Sequence, residues 1–352
     1  MTLFHGFVLT FLAGVSLGFC GWPIKWARTW KWENFWLIES LFCLIIFPFG
    51  LAFWLLPHLG RVYVSLTARE ALKPFLLGAL WGLAQLGSGI CIHKIGFATT
   101  NAVVNGIGAA FGMLVPLVVQ HRAMVFQAGG VLILCGTFVM MSGVTLCGWG
   151  GYQRENEVRR QGRAAGFSAN ESAMSQVAST PMGYFMSIGI AVGSGVLASL
   201  MNVALAYGGD IMQKVRGAGG QASWAPFAVW PIALLGGSLV NIAYCIFLLS
   251  RNRTWGNFRG GIREAFNPML MAFVWMVGIA LYSSGTTFLG VLGVSIGFGL
   301  FMIVQILTRQ LASVSTGEWY FTRPLTSKAF GVGIALLCVA FVVIAAANYM
   351  GR

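Results

Sequence analysis

The chain has 352 residues, of which 57% are hydrophobic and only 9% are charged, and its formal net charge is +13. Because about a quarter of the residues in soluble domains are charged, this composition excludes a soluble globular protein and indicates a polytopic membrane protein. The basic residues lie in short stretches between apolar runs, where they predict membrane topology and contact with anionic lipid headgroups rather than a nucleic-acid partner.

Ten charge-poor apolar runs follow one another along the chain, each close to the ~20 residues that cross a ~30 Å hydrocarbon layer. The run over residues 265–308 has no formal charge and is too long for one crossing, so we divide it near 285–290 into two helices joined by a tight turn. A second tight turn is predicted between residues 94 and 98. The expected spans are residues 3–22, 35–57, 74–94, 98–120, 127–147, 182–208, 226–250, 267–287, 290–310 and 329–349.

The distribution of basic residues predicts the orientation of these spans. The loops that follow odd-numbered spans hold fifteen Lys and Arg residues, against seven on the other side with both termini included. Since cytoplasmic loops are enriched in Lys and Arg, the odd-to-even loops are expected in the cytoplasm and both termini outside. The expected location is the cytoplasmic (inner) membrane of a prokaryote.

The spans divide into two halves of five, residues 1–147 and residues 182–352, which are joined by a polar linker over residues 148–181. Because five is odd, the second half enters the membrane from the opposite side, so the two halves have the opposite orientations of an inverted repeat. The fold class expected is therefore an all-α bundle of ten transmembrane helices in two inverted five-helix repeats. The linker mixes acidic and basic residues at helical spacing and is interpreted as an amphipathic helix on the cytoplasmic surface.

A short internal match supports the repeat. Trp81 and Gly96 of the first half recur in the second half as Trp275 and Gly290, both at an offset of 194 residues. The glycines fall at the two predicted tight turns, which places the turns at equivalent points of the two halves.

The sequence offers no sign of an enzyme. HExxH and phosphate-binding loop motifs are absent, and the nine acidic residues and four histidines stand mostly in loops. The seven cysteines lie in apolar runs without a CxxC pair, so they are interpreted as small buried hydrophobic residues rather than disulfide partners or metal ligands. Neither a cofactor nor a metal ion is expected.

Polar side chains inside the spans give the main indication of function. A carboxamide without a partner costs several kcal/mol in lipid, so each must face another helix or a water-filled cavity. Amides and hydroxyls supply donors and acceptors, and aromatic faces supply flat apolar contact, a mixture that suits a neutral sugar. The polar set comprises Ser16, Glu39, Ser40, Gln85, Ser88, Asn101, Asn105, Ser199, Asn202, Asn241, Tyr244, Ser283, Ser284 and Gln305, with Trp81, Trp275 and Tyr282.

Other substrate classes are less well matched. An anionic substrate calls for a mid-membrane Arg or Lys, and none stands well inside a predicted span. An organic cation calls for an acid within an aromatic cage, and Glu39 among Trp36, Trp54 and Trp81 leaves that class open.

Glu39 is the only acidic residue well inside a span, about 7 Å below the interface at about 1.5 Å per residue. Burial disfavours the charged form of a carboxyl group, which would fit a proton carrier. Alternatively, Glu39 reaches the cytoplasmic face and pairs with Lys25 or Arg28.

Several local motifs resemble the L-rhamnose-proton symporter family of the drug/metabolite transporter superfamily, and the resemblance runs nearly from end to end. The matching motifs are Pro23-x-Lys25 with Trp30-Lys31-Trp32-Glu33, Gly78-Ala79-Leu80-Trp81-Gly82, Met201-Asn202, and Asn241 with Tyr244-Cys245. The resemblance implies the drug/metabolite transporter fold and uptake of a deoxysugar, L-rhamnose or a relative, by proton symport with alternating access, with the proton gradient in place of a cofactor. The chain departs from the family pattern at Gln85, Gly278 and Ser283-Ser284, which leaves the identity of the sugar open.

The polar residues and the resemblance together predict a sugar site and a proton site. Tryptophan and tyrosine rings are expected to stack on the sugar, amides to bond its hydroxyls, and Glu39 to carry the proton. The predicted sugar ligands are Trp81, Gln85, Asn101, Asn202, Asn241, Trp275 and Tyr282. The alternatives are an exporter or facilitator of amino acids, organic cations or other metabolites, and a sugar sensor or scaffold.

Overall fold

The computed structural model describes residues 3–26, 30–164, 181–260, 262–317, 319–320 and 322–350. Its long elements are ten helices, numbered here α1 to α10. The second contains a π-helical stretch at Phe42–Ile46. The helices are α1 Leu3–Phe19, α2 Trp32–Leu55, α3 Ala68–Ile95, α4 Phe97–Gln120, α5 Ala128–Ala164, α6 Pro181–Tyr207, α7 Val229–Asn252, α8 Ile262–Phe288, α9 Gly293–Ser315 and α10 Pro324–Met350.

These helices confirm the prediction of a polytopic membrane protein. Within the described residues, nine helices are long and apolar enough to cross a membrane, and α1 is a shorter apolar helix of 17 residues. Both tight turns also occur where they were predicted. Gly96 between α3 and α4 has φ 87° and Gly290 between α8 and α9 has φ 82°, left-handed conformations that glycine adopts without a steric penalty.

The fifth helix is longer than its predicted span. It continues past residue 147 to Ala164, so the first part of the linker is helical but continuous with α5 rather than a separate element. In this extension the Glu157 carboxylate accepts hydrogen bonds from the backbone N–H of Arg323 and the hydroxyl of Thr326, both at 2.9 Å. These contacts cap the start of α10, because the first N–H groups of a helix have no partner within it. Residues 165–180 of the linker lie outside the described residues.

The ten helices close into a ring. Going around the ring, each helix contacts the next in the order α2, α7, α3, α6, α4, α5, α10, α9, α1 and α8, and α8 contacts α2. In addition, α4 contacts α9 across the interior. Helix axes approach closely at glycines, as is typical where lipid removes the hydrophobic drive between helices. A Cβ on Gly78 of α3 would lie 1.8 Å from the Ala233 carbonyl oxygen of α7, and one on Gly82 would lie 2.9 Å from that of Gly237.

The glycine contacts also give relative directions. Gly78 and Gly82 meet Ala233 and Gly237 in the same order along the chain, so α3 and α7 run parallel. On the other side of the ring, Gly136 of α5 faces Ile344 of α10 while Gly150 faces Phe330, so this pair is antiparallel.

Candidate functional site

Two tryptophans meet in the interior of the ring. Trp81 of α3 and Trp275 of α8 have ring centroids 6.4 Å apart and planes inclined by 37°. Their helices are separated in the ring by α2 and α7, so this contact spans the interior rather than a helix-helix seam. Both side chains are half-buried. The structure therefore brings together the two tryptophans that the sequence predicted to be equivalent.

Gln85 lies on the same face of α3 as Trp81, one turn further along. α3 contacts α7 at Gly78 and Gly82, and it contacts α6 at Gly87. The face that carries Trp81 and Gln85 lies between these two contacts. Gln85 is half-buried, and its amide forms no hydrogen bond with any described residue. An amide in this position has donors and an acceptor available for a ligand in the interior.

The amides of α4 form a neighbouring polar group. Asn105 donates from Nδ2 to Oδ1 of Asn101 at 3.3 Å, and both side chains are half-buried. On α3, Ser88 is half-buried too, and its hydroxyl donates to the Ala84 carbonyl of its own helix at 2.8 Å. The α3–α4 end of the interior is thus polar and partly exposed.

Asn241 of α7 is buried and links to an aromatic chain. Its Nδ2 donates to the Gly237 carbonyl at 3.0 Å, and its Oδ1 accepts from Nε1 of Trp36 at 3.4 Å. Trp36 stacks on Trp32, with centroids 5.4 Å apart, and Trp32 meets Tyr244 edge-on at 6.3 Å. Because Trp32 is 41% exposed, these rings lead from the surface to Asn241. The sequence motifs included Trp32 and Tyr244 but did not indicate this connection.

Asn202 and Tyr282 are joined in a different part of the interior. The Tyr282 hydroxyl donates to Oδ1 of Asn202 at 2.5 Å, and Nδ2 of Asn202 donates to the Gly112 carbonyl at 2.7 Å. Both side chains are almost completely buried. In this structure their polar atoms bond the protein, and they stand apart from the partly exposed set around Gln85.

Glu39 is buried within α2, with 6% of its surface exposed. It forms no ion pair with any described residue, and Cys43, which is also buried, lies one turn further along the same helix. This burial does not match the alternative in which Glu39 reaches the membrane face. The side chains of Lys25 and Arg28, its suggested partners there, lie outside the described residues.

Two further observations limit the chemistry of the site. Among the described residues, no group of three or more His, Cys, Asp or Glu side chains could hold a metal ion. An open apolar groove of about 430 Å³, lined by residues such as Phe49, Tyr63 and Phe75, lies near the start of α3 and takes in none of the predicted sugar ligands.

The departure at Gly278 has a packing explanation. A Cβ at this position would lie 1.9 Å from Cδ1 of Leu17 in α1. Gly278 therefore faces a helix seam, and a longer polar side chain there could not reach the interior without moving α1 away from α8.

The sequence also contains a stronger internal repeat than the match of Trp81 and Gly96 with Trp275 and Gly290. Arg69-Glu70-Ala71-x-x-Pro74 recurs as Arg263-Glu264-Ala265-x-x-Pro268, again at an offset of 194 residues. Two more tryptophan pairs keep the same offset, Trp30 with Trp224 and Trp36 with Trp230. A search at this single offset would have drawn attention to Trp36, whose contact with Asn241 was not predicted.

The ring of apolar helices defines a multi-pass membrane protein. Its interior carries amides, hydroxyls and aromatic rings, which are uncharged groups able to bind a ligand. A family model described as L-rhamnose-proton symport protein (RhaT) matches residues 2–351, and the chain belongs to this family.

Curated relatives agree with the family model. The chain is 24% identical over 340 residues to an L-rhamnose-proton symporter of Pectobacterium atrosepticum, covering 94% of this chain and 92% of the relative. It is 23% identical over 355 residues to one of Yersinia pestis, covering 98% and 96%. A third, from Mannheimia succiniciproducens, is 25% identical over 229 residues, which cover 64% of this chain and 62% of the relative.

Proposed function

We propose that the protein takes up a neutral deoxysugar, L-rhamnose or a related sugar, by proton symport across the cytoplasmic membrane. The observation that carries the proposal is the pair of tryptophans facing each other across the ring interior, with the amide of Gln85, which bonds no described residue, one turn away. Full-length relatives named L-rhamnose-proton symporters support the same assignment. They do not favour an exporter of amino acids or organic cations.

The sugar site that we propose has apolar walls and uncharged hydrogen-bonding groups. Trp81 and Trp275 would stack on the C–H faces and the methyl group of a deoxysugar. Gln85, Asn101 and Asn241 would bond its hydroxyls, since carboxamides offer both donors and acceptors. α3 and α7 run parallel, and the pairing of Gly82 with Gly237 aligns Gln85 with Val240, directly before Asn241. The two amides therefore occupy the same level of the bundle.

Alternating access would follow from two inverted repeats. Exchanging each helix with the one five places along the chain, α1 with α6 and so on, maps the ring order onto itself. The same exchange replaces Trp81 by Trp275 and Trp275 by Trp81. These two residues also contact each other, as expected for an equivalent pair that lies next to the axis relating the two halves. The shared Arg-Glu-Ala-x-x-Pro motif, at the start of α3 and of α8, supports the same repeat. Rocking one half against the other would expose the site to each side in turn.

Glu39 is the proposed proton carrier. Glu39 is a buried carboxyl group with no ion pair to any described residue, so release and uptake of one proton can follow its access to water. Glu39 stands three residues after Trp36, whose indole N–H binds Asn241. A change in the charge of Glu39 could therefore shift Trp36 and Asn241, which would couple proton binding to the sugar site. Inward flow of protons down their gradient would then drive sugar accumulation.

Purified protein in liposomes tests the function. With an inward proton gradient, we expect labelled L-rhamnose to accumulate and the external medium to become more alkaline when the sugar is added. A protonophore is the control and should abolish accumulation. Sugar movement without any pH change would contradict symport, and failure of L-rhamnose and other deoxysugars to stabilise the purified protein against heat would contradict the substrate class.

A further inference from the structure

Equivalent positions in the two halves have different surroundings. Ser88 of α3 corresponds to Tyr282 of α8 at the offset of 194 residues; Ser88 is half-buried, whereas Tyr282 is 1% exposed. Asn101 of α4 corresponds to Ser295 of α9, and the first is half-buried while the second is 1% exposed. The interior is therefore more open beside the α3–α4 turn than beside the α8–α9 turn.

These turns lie at opposite ends of the bundle. α3 runs parallel to α7, and α8 returns antiparallel to α7 after a short connection, so the C-terminal ends of α3 and α8 point in opposite directions. The loop charges predict the α3–α4 turn in the cytoplasm and the α8–α9 turn outside. The closed end is thus the predicted outer end.

A hydrogen-bonded contact among four helices closes this end. The hydroxyl of Tyr282 in α8 binds Oδ1 of Asn202 in α6. The amide nitrogen of Asn202 donates to the carbonyls of Gly112 in α4, at 2.7 Å, and Val294 in α9, at 3.5 Å. A single amide therefore uses its polar atoms to hold together helices from both halves.

An aromatic cluster fills the space around this contact. The Tyr282 ring lies 5.0 Å from that of Phe301, 6.1 Å from that of Phe298 and 6.4 Å from that of Trp230. Trp230 is buried and donates from Nε1 to the Ser283 hydroxyl at 2.5 Å, so its ring is fixed as well. At Gly112, even a Cβ would lie 2.2 Å from the Phe298 ring. The packing leaves no room for a sugar ring between these side chains.

We propose that Asn202 and Tyr282 form the outer gate of the transporter, closed in this structure, and that their bond must break when the site opens to the outside. The inference rests on the proposed transport function and assigns these two residues to gating instead of direct sugar binding. Trp230, the equivalent of Trp36, and the two phenylalanines complete the gate. In the opposite state, the half-buried positions around Ser88 and Asn101 would close.

Accessibility of introduced cysteines tests the gate without any sugar. Ser295→Cys reports on the closed end and Ser88→Cys is the matched reporter at the open end, both in a background in which the exposed Cys135 and Cys338 are replaced by alanine. A membrane-impermeant maleimide is applied to vesicles of each orientation. We expect Ser88→Cys to react from the cytoplasmic side and Ser295→Cys to remain nearly unreactive from outside.

Adding Tyr282→Phe removes the bond but keeps the ring. Because loss of one hydrogen bond shifts a closed-to-open equilibrium by about fivefold, outer labelling of Ser295→Cys should rise about fivefold. Asn202→Ala breaks the same contact from α6 and should also raise it, which provides a second variant if the first does not fold. Tyr244→Phe, away from the gate, should leave labelling unchanged. Equal outer labelling with and without both gate substitutions would overturn the proposal.

Sugar binding separates a gate from a ligand. If Tyr282 acts in the gate, purified Tyr282→Phe should still be stabilised against heat by L-rhamnose, with its affinity within about fivefold of the unchanged protein. Lost binding with unchanged labelling would identify Tyr282 as a sugar ligand instead. The labelling experiment contains no sugar. Its result therefore tests the gate separately from the proposal that the protein takes up L-rhamnose.

Discussion

Trp81 and Trp275 occupy equivalent positions in the two halves of the chain, and their rings meet 6.4 Å apart across the interior of the helix ring. Two rings at this separation can present their faces to a ligand on the same level of the bundle. The contact also places the proposed sugar site between the two halves of the chain.

Replacing either tryptophan of this pair should weaken sugar binding. Trp81→Ala or Trp275→Ala is expected to reduce affinity for L-rhamnose by about tenfold, since an aromatic contact contributes about 0.5–1.5 kcal/mol beyond its buried area. Phenylalanine at either position should restore part of the affinity. Isothermal calorimetry on purified protein measures the change. Trp54→Ala is the control, because Trp54 is 80% exposed; an equal loss there would show that the effect is not specific to the site.

Gln85→Ala should lower affinity without lowering stability. The Gln85 amide bonds no described residue, so its removal leaves no protein group unpaired. Losing one bond to a sugar hydroxyl should cost about 0.5–1.5 kcal/mol of binding, which is roughly twofold to tenfold in affinity. Thermal unfolding with and without L-rhamnose separates the two effects. A lower unfolding temperature in the sugar-free protein would indicate a structural role for Gln85.

Glu39→Gln should separate sugar movement from the proton gradient. The amide keeps the shape of a protonated carboxyl group but cannot release a proton, so exchange of labelled for unlabelled sugar should continue while gradient-driven accumulation is lost. Both are measured in liposomes. Full accumulation by this variant would exclude Glu39 as the carrier.

Glu33→Gln is the matched comparison on the same helix. The Glu33 carboxylate accepts hydrogen bonds from Asn252 at 3.1 Å and from Thr254 at 2.9 Å, which tie the start of α2 to the end of α7. Weakening this buried contact should lower the free energy of unfolding by about 1–3 kcal/mol and leave coupling intact in the protein that folds. Loss of coupling in Glu33→Gln as well would show that the assay does not report on Glu39 alone.

Close packing of α3 on α7 should depend on Gly78. Gly78→Ala would place a Cβ 1.8 Å from the Ala233 carbonyl, so the helices must separate, at a cost of about 1–3 kcal/mol. Gly89→Ala in the same helix meets no atom within 4 Å among the described residues and is the control. Thermal unfolding in detergent measures both. Equal stability of the two variants would contradict the packing argument.

Much of the fold could be read along the chain because each feature depends on neighbouring residues. A run of apolar residues forms a helix wherever lipid surrounds it, so ten helices follow from hydropathy. Gly96 and Gly290 mark tight turns because few other residues accept their backbone angles. The end of α5 was not predicted, because it depends on a contact between residues far apart in the chain. The charged extension of α5 continues to Ala164, and Glu157 within it caps the start of α10, more than 160 residues further along.

The sequence by itself determined the ten membrane helices, their turns, the repeated tryptophans and the uncharged character of the interior. Only the tertiary structure decided which polar groups remain accessible. Asn202 and Gln85 are both intramembrane amides, yet Asn202 bonds to three other helices while the Gln85 amide bonds no residue that the structure describes. The difference comes from the order of the helices around the ring, which is set by contacts between residues far apart in the chain. No local pattern records that order.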